Sequence, residues 1–335
     1  MNMLHAARLC AIFGLGELIA EPQVVTGGVL HRMWYLPTTQ GTFAVKQLNP
    51  AIMCKPAICE ACRLTEQVAH AMVAQGLPAV AALYAEGCPM QEIEDATFMV
   101  YPWIDGKILL PGPVEPDLAR QIGTILGRVH ALNLEVPGLA LPIKEPFFDD
   151  DWDMLTFHAA DMDIPWAYQM RAALPRLLEW SKMCAETSAV LHRTLVVSHR
   201  DLGQKHVIWR DAHTPMIIDW EAAGLINPTV ELLSVALSWS GQTTGVPREE
   251  SFAAVMEGYI SAGGKVQETG IDALHGLIEI WLGWLLFNMR RSLGETTASE
   301  DERQLGIRET TSILAILRSI TTHAGTWAAW LDKWR

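Results

Sequence analysis

One stretch constrains this chain more than any other. Ser198-His199-Arg200-Asp201-Leu202-Gly203-Gln204-Lys205-His206-Val207-Ile208-Trp209 is followed closely by Ile217-Ile218-Asp219-Trp220-Glu221. Short apolar runs broken by polar loops read as strands. The pattern is therefore a strand, a tight loop holding an acid, a strand, and a second acid eighteen residues after the first. Two carboxylates presented this way can do different work. Asp201 can accept a proton from an attacking hydroxyl, and Asp219 can hold Mg²⁺ against the phosphates of a nucleotide.

Upstream, residues 23–26, 29–37 and 42–48 read as three antiparallel strands, with Thr39-Gln40-Gly41 as a hairpin turn. Between the first two lies Val25-Thr26-Gly27-Gly28-Val29-Leu30. Gly27 and Gly28 let backbone N–H groups approach phosphates with no Cβ in the way, although a two-glycine turn also suits an ordinary hairpin. The third strand carries Thr42-Phe43-Ala44-Val45-Lys46. Residues 59–75 form a helix with Leu64, Val68, Met72 and Val73 on one face, and Gly76 stops it. Residues 81–86 and 97–103 read as two further strands. Residues 1–20 read as an amphipathic helix packed on this sheet, not as a signal peptide. Beyond Gly106 the chain reads as helical at 115–132, 166–180, 184–191, 229–240, 248–262, 271–293 and 300–331, with a Pro- and Asp-rich loop at 134–153. The expected division is 1–105, a sheet with a helix, and 106–335.

Four landmarks follow in order: the glycine turn, the lysine strand, His199-Arg200-Asp201 and Ile217-Ile218-Asp219. With them the chain resembles the aminoglycoside phosphotransferase family over about residues 24–239. The family comprises small-molecule kinases of the protein-kinase-like fold, with choline, homoserine and methylthioribose kinases among its branches. The resemblance implies an α+β fold of two lobes, a small antiparallel-sheet lobe and a mostly helical large one. It implies transfer of the γ-phosphate of ATP or GTP, with Mg²⁺, to a hydroxyl. Lys46 would then hold the α- and β-phosphates. A glutamate of helix 59–75 would orient that lysine; Glu60 and Glu66 are available, and Glu66 matches the family spacing better. The segment Tyr101-Pro102-Trp103 would be the hinge whose backbone meets adenine, Gly27 and Gly28 would cover phosphates, Asp201 would be the catalytic carboxylate and Asp219 the metal ligand. His199 and Arg200 would shape the loop. One position departs from the family: its pattern has Asn five residues after the catalytic acid, where this chain has His206. Imidazole is a poorer Mg²⁺ ligand than an amide oxygen. The metal is expected on Asp219 and His206, and its number and kind stay open.

The chain has 335 residues and a formal net charge of −13. That balance argues against nucleic acid or an anionic membrane as partner, and suits either a cationic substrate or an ordinary acidic soluble enzyme. Asp149, Asp150, Asp151, Asp153, Asp161 and Asp163 crowd one region. Asp150 and Asp153, with Glu231 just past the metal loop, are the acceptor-side candidates, since carboxylates pair with ammonium groups. Thirteen tryptophans would also suit a macrolide or nucleoside, although most tryptophans are core. Six cysteines make no disulfide framework in a chain of this length, and Cys59-x-x-Cys62 has no second pair to complete a zinc site. The longest apolar run, 280–287, is too short to span a bilayer. A cytoplasmic monomer or homodimer acting on a small hydroxyl compound is expected. Three readings stay open: an O-phosphotransferase acting on an antibiotic such as an aminoglycoside; a kinase of a metabolite of the choline, homoserine or sugar type; and a nucleotide-binding protein with weak transfer because of His206.

Overall fold

Period-two alternation builds the first part of the fold. In the computed structural model, which describes residues 1–25, 31–53, 56–139, 149–245, 247–295 and 299–335, helix α1 (Met3–Phe13) leads into strands β1 (Gln23–Val25), β2 (Arg32–Thr38) and β3 (Gly41–Gln47). Helices α2 (Pro50–Met53) and α3 (Pro56–Ala74) follow, then β4 (Met90–Ile93) and β5 (Ala96–Pro102). The strands form one antiparallel sheet in the order β1-β2-β3-β5-β4. Leu36, Val45, Phe98 and Val100 point to one face and are fully buried against Ala6, Leu9 and Cys10 of α1. Burying side chains of this size stabilises the fold by about 1.5–3 kcal/mol each. The intervening residues point the other way. There Leu48, Ala82, Met90 and Met99 pack with Cys59, Cys62 and Tyr101 on the α3 side. The N-terminal helix thus covers the sheet as expected, but it ends at Phe13 with Gly14 as its left-handed cap and does not run to residue 20.

The expected strand at 81–86 is not formed as a sheet member. The Leu83 N–H reaches the Val100 carbonyl of β5 at 2.6 Å, but the Ala82 N–H donates to the Glu66 carboxylate at 2.9 Å and the Ala85 N–H to the Cys88 carbonyl at 3.1 Å. The strand beside β5 is β4, whose sequence Met-Gln-Glu-Ile carries a weak β signal. A two-residue turn, Glu94-Asp95, joins it to β5, so local pairing decides what propensity does not.

Short strands complete this part: β6 (Lys107–Ile108), β7 (Val196–Ser198), β8 (Val207–Trp209), β9 (Pro215–Ile217) and β10 (Gly224–Ile226). They pair as β6-β8-β9 and β10-β7. The segment after α3 is stitched to β9, because Val80 N–H donates to the Ile217 carbonyl at 2.8 Å and Ile217 N–H to that of Pro78 at 2.7 Å. Met1–Pro111, Arg128–Leu141 and Val197–Leu225 form one compact unit.

The second unit comprises Gly112–Gly127, Pro142–Val196 and Ile226–Arg335. Its helices are α4 (Pro116–Ala131, the last turn lying in the first unit), α5 (Asp149–Asp161), α6 (Ala167–Leu191), α7 (Pro228–Ser240), α8 (Glu249–Ser261), α9 (Gly270–Ser292) and α10 (Glu300–Asp332). Two sequence readings change here. Residues 149–153, expected in a loop, open α5, and the helices expected at 166–180 and 184–191 are one helix that passes through Pro175. Helices α4 and α8 cross closely because both lack a side chain at the contact. A Cβ on Gly123 would meet the Val255 carbonyl oxygen at 2.0 Å, and one on Gly258 that of Arg120 at 2.0 Å. Helix α9 is long and apolar enough to cross a membrane by length and composition. It packs against α6, α7 and α10, and its Arg291 is buried on the Glu302 carboxylate, as suits a core helix. Trp152 and Trp166 are fully buried with their N–H groups donated to Ser181 and Ser292, so they are core residues rather than a stacking wall. Among the described residues Cys10, Cys59, Cys62, Cys88 and Cys184 form no disulfide, and burial pushes the Cys62 thiol up to about 11.

Candidate active site

The two acids of the central motif are cross-braced by two histidines, all within the first unit. After β7 the backbone turns through Arg200, which has a left-handed φ of 67°, and its guanidinium packs over Gly224, where a Cβ would meet it at 3.0 Å. His199 is buried. Its Nδ1 accepts the Asp201 N–H at 3.2 Å, so Nε2 carries the proton and donates to the Ile218 carbonyl at 3.0 Å. A short 3-10 turn, Gln204–His206, then presents the second histidine. Its Nδ1 lies 2.7 Å from the Asp201 carbonyl oxygen, and its own carbonyl accepts the Ile218 N–H at 3.0 Å. Each histidine therefore links the loop of Asp201 to the residue before Asp219. The Asp201 carboxylate is half-exposed and lies 3.2 Å from Lys205 Nζ.

Asp219 is held in an unusual backbone conformation, with φ of 63°. A non-glycine residue there is strained by about 1–3 kcal/mol, and such strain is retained where the surrounding structure fixes it. The turn aims the carboxylate at two groups. Oδ1 accepts from Lys46 Nζ at 3.0 Å, and Oδ2 lies 3.4 Å from His206 Nε2. Glu221, two residues on, accepts from the same lysine at 2.6 Å and lies 3.7 Å from His31 Nε2. Lys46 reaches them from β3 because alternation that buries Val45 under α1 turns Lys46 to the opposite face. Burial opposes the lysine charge, yet Asp219 and Glu221 outweigh it and raise its pKa. Burial likewise works against the charge of Asp219, but the Lys46 ammonium holds its carboxyl below the usual range.

Glu66, expected to orient Lys46, has other bonded partners. Its carboxylate accepts the Tyr101 hydroxyl at 2.7 Å and the Ala82 N–H at 2.9 Å, while Lys46 takes Asp219 and Glu221. Glu66 is buried, and burial raises its pKa despite those bonds and the nearby lysine charge. Tyr101, expected at the hinge, turns its side chain to Glu66; burial and then the Glu66 carboxylate push its phenol well up. Glu60 is on the exposed side of α3, paired with Arg63. Trp103 lines an open depression of about 520 Å³ with Gln23, Val24, Val25 and Tyr35, its ring meeting Tyr35 edge-on at 4.8 Å. Gly27 and Gly28 lie outside the described residues. Asp150 and Asp153 are on α5 of the second unit; Asp153 is exposed, and the side chain of Asp150 is outside the description. Glu231 is buried in the first turn of α7, where its charge helps raise the pKa of Tyr259 after burial itself. Sequence reasoning gave no role to Glu221 or Tyr35. The signal for Glu221 was its place two residues past Asp219, on the same turn.

The arrangement brings a lysine, two carboxylates and an imidazole to one place, beside a half-exposed carboxylate on a braced loop. It can hold phosphate oxygens, and Asp219 Oδ2 with the neutral form of His206 Nε2, 3.4 Å apart, offers a divalent cation two ligand atoms. Residues 21–264 match the phosphotransferase enzyme family. No curated protein matches the chain at the sequence level. Among solved structures, a spectinomycin phosphotransferase in complex with ADP and spectinomycin is similar at a TM-score of 0.70 and 13% identity, over 95% of this chain and 98% of that one. A macrolide 2′-phosphotransferase from Brachybacterium faecium gives 0.57 and 16%, over 90% and 96%. An ethanolamine kinase from Plasmodium vivax gives 0.56 and 14%, over 89% and 83%. At such identities the likeness carries the fold, and the fold is the protein-kinase-like one that the motifs imply.

Proposed function

This chain belongs to the phosphotransferase enzyme family and is a small-molecule phosphotransferase, and on that premise we propose that it transfers the γ-phosphoryl group of ATP to a hydroxyl of a cationic small molecule. The observation that carries the proposal is the cluster of Lys46, Asp219 and Glu221, set across two histidine braces from Asp201. Phosphoryl transfer asks for little covalent help; it needs groups held in line and charge stabilised on the moving phosphoryl group. Lys46 supplies a fixed positive charge for phosphate oxygens. Asp201 aligns the acceptor hydroxyl and takes its proton. His199 and His206 hold the backbone of Asp201, so the carboxylate is positioned before the acceptor arrives. Asp219 and His206 are the residues that would hold the metal, which when bound offsets phosphate charge. Tyr35 and Trp103 offer aromatic surface to a purine. Use of ATP goes with a cytoplasmic location.

For the acceptor, an aminocyclitol or aminoglycoside antibiotic is the first reading and an amino alcohol of the choline or ethanolamine type the second. The net charge of −13 and the acidic start of α5 support a cationic compound in both. The antibiotic and amino-alcohol enzymes among the similar structures support one reading each. The test is ADP release with ATP and Mg²⁺ or Mn²⁺ across a panel of aminocyclitols, aminoglycosides, macrolides, choline, ethanolamine and homoserine. Acceptor-dependent release that falls by about 10²–10⁴-fold in Asp201→Ala, with ADP binding intact, supports the proposal. Unchanged turnover in that variant would remove Asp201 from the mechanism.

A further inference from the structure

We propose that His206 binds the metal through Nε2, and that this nitrogen makes the site select a transition-metal ion of the Mn²⁺, Co²⁺ or Zn²⁺ kind over Mg²⁺. The inference deepens the phosphotransferase reading and rests on it only for the place of the nucleotide.

The tautomer comes first. His206 Nδ1 lies 2.7 Å from the carbonyl oxygen of Asp201. A carbonyl has no proton to give, so Nδ1 carries the hydrogen and donates it. In the neutral ring Nε2 then holds a lone pair. Nε2 lies 3.4 Å from Asp219 Oδ2. A carboxylate oxygen and an unprotonated nitrogen cannot hydrogen-bond to each other; a cation between them satisfies both. The separation suits this. Two metal bonds of about 2.1 Å, opened by about 90–110°, place their ligand atoms roughly 3.0–3.5 Å apart.

The ring is also held in place. Its side chain is nearly buried, it lies 5.8 Å from the ring of His199, and its backbone carbonyl accepts the Ile218 N–H at 3.0 Å. A histidine whose far nitrogen donates to a backbone carbonyl is the arrangement that orients ligating imidazoles and raises their basicity. The other carboxylate oxygen, Oδ1, is engaged by Lys46 at 3.0 Å, so the metal meets one oxygen and one nitrogen from these two residues. Mg²⁺ favours oxygen donors and gives up water reluctantly. Imidazole binds later divalent ions better, in the rising order from Mn²⁺ to Cu²⁺. The donor pair therefore discriminates against Mg²⁺ by its chemistry.

Pulsed electron paramagnetic resonance of Mn²⁺ bound to the full chain, with and without ADP, tests this directly. The expected result is a ¹⁴N coupling from imidazole in the wild-type spectrum, absent in His206→Asn, whose preference for Mn²⁺ over Mg²⁺ in competition titration narrows by about tenfold or more. Bound Mn²⁺ with no ¹⁴N coupling in the wild type, no Mn²⁺ binding under either condition, or a preference unchanged in His206→Asn overturns the proposal. The wild-type spectrum decides the matter even where the variant fails to fold. ATP turnover with Mg²⁺ and no nitrogen coupling sinks this inference alone; nitrogen-coupled Mn²⁺ with no transfer to any acceptor sinks the phosphotransferase reading alone.

Discussion

The two faces of the five-stranded sheet are made by the same strands and obey opposite rules. Under α1, Leu36, Val45, Phe98 and Val100 are fully buried and wholly apolar. One residue along each strand, the other face carries Lys46 and Tyr101, with Glu66 of α3 bonded to the latter. The apolar face gains its free energy from area removed from water and needs no particular partner. On the other face, beside the apolar Leu48, Ala82, Met90 and Met99, the polar groups of Lys46, Tyr101 and Glu66 are expensive to bury and each is answered by a named atom. One face contributes apolar burial alone and the other adds the polar groups of the site to its apolar cluster, separated by a single step in register. A one-residue slip of β3 would exchange Val45 and Lys46 and destroy both at once.

That comparison can be broken in several ways. The largest effect is expected from Lys46→Met, which leaves Asp219 and Glu221 side by side without their cation. Turnover should fall by about 10²–10³-fold, read as ADP release, while urea unfolding changes less than for a core truncation. Phe98→Ala should do the reverse, costing about 3–5 kcal/mol in urea unfolding with kcat per folded molecule retained. If Phe98→Ala abolished turnover at full folding, the division of labour between the faces would be wrong.

Two smaller effects sharpen the comparison through their pH dependence. Asp219 has a lowered folded pKa, so its stabilisation is present above the ordinary value of 3.8 and is lost as pH falls through the folded value. Asp219→Asn should therefore be less stable than wild type at neutral pH, with the difference vanishing in acid. Glu66 has the opposite sign. Its folded pKa is raised above the ordinary 4.5, so the folded chain keeps that proton longer, and its contribution falls as pH rises through that window. Glu66→Gln can still accept from Ala82 and donate to the Tyr101 oxygen. It should lose less stability than wild type between pH 4.5 and pH 7 in unfolding titrations; an equal loss would show that burial does not govern this carboxyl.

Much of the fold was legible because it rests on local signals. Period-two runs gave β2 and β3, helical runs with stop residues gave α3, α7, α8, α9 and α10, and each boundary falls within a few residues. What was misread depended on partners distant in sequence. Residues 81–86 look like a strand, but the Glu66 carboxylate and the Cys88 carbonyl take the N–H groups of Ala82 and Ala85. Met90–Ile93 looks unremarkable, and a hairpin makes it one. The break expected after Trp180 is absent, since α6 continues through 181–183 and buries Ser181 and Cys184 in the second unit. The site shows the same division. Lys46, Asp201 and Asp219 could be picked out by motif, whereas the bonding of Glu66 to Tyr101 could not.

By itself the sequence determined that a lysine on a strand, an acid in a tight loop and a second acid after two isoleucines would occur in one chain, because residue type and short-range spacing are local properties. It also determined that the five residues separating Asp201 from His206 end in an imidazole. Only the tertiary structure decided that this ring donates to the Asp201 carbonyl and turns Nε2 to Asp219, and that Lys46 meets Glu221 across 175 residues of chain. Those facts depend on atoms brought together by long-range packing, and hydrogen-bond direction and charge pairing are properties of that geometry alone.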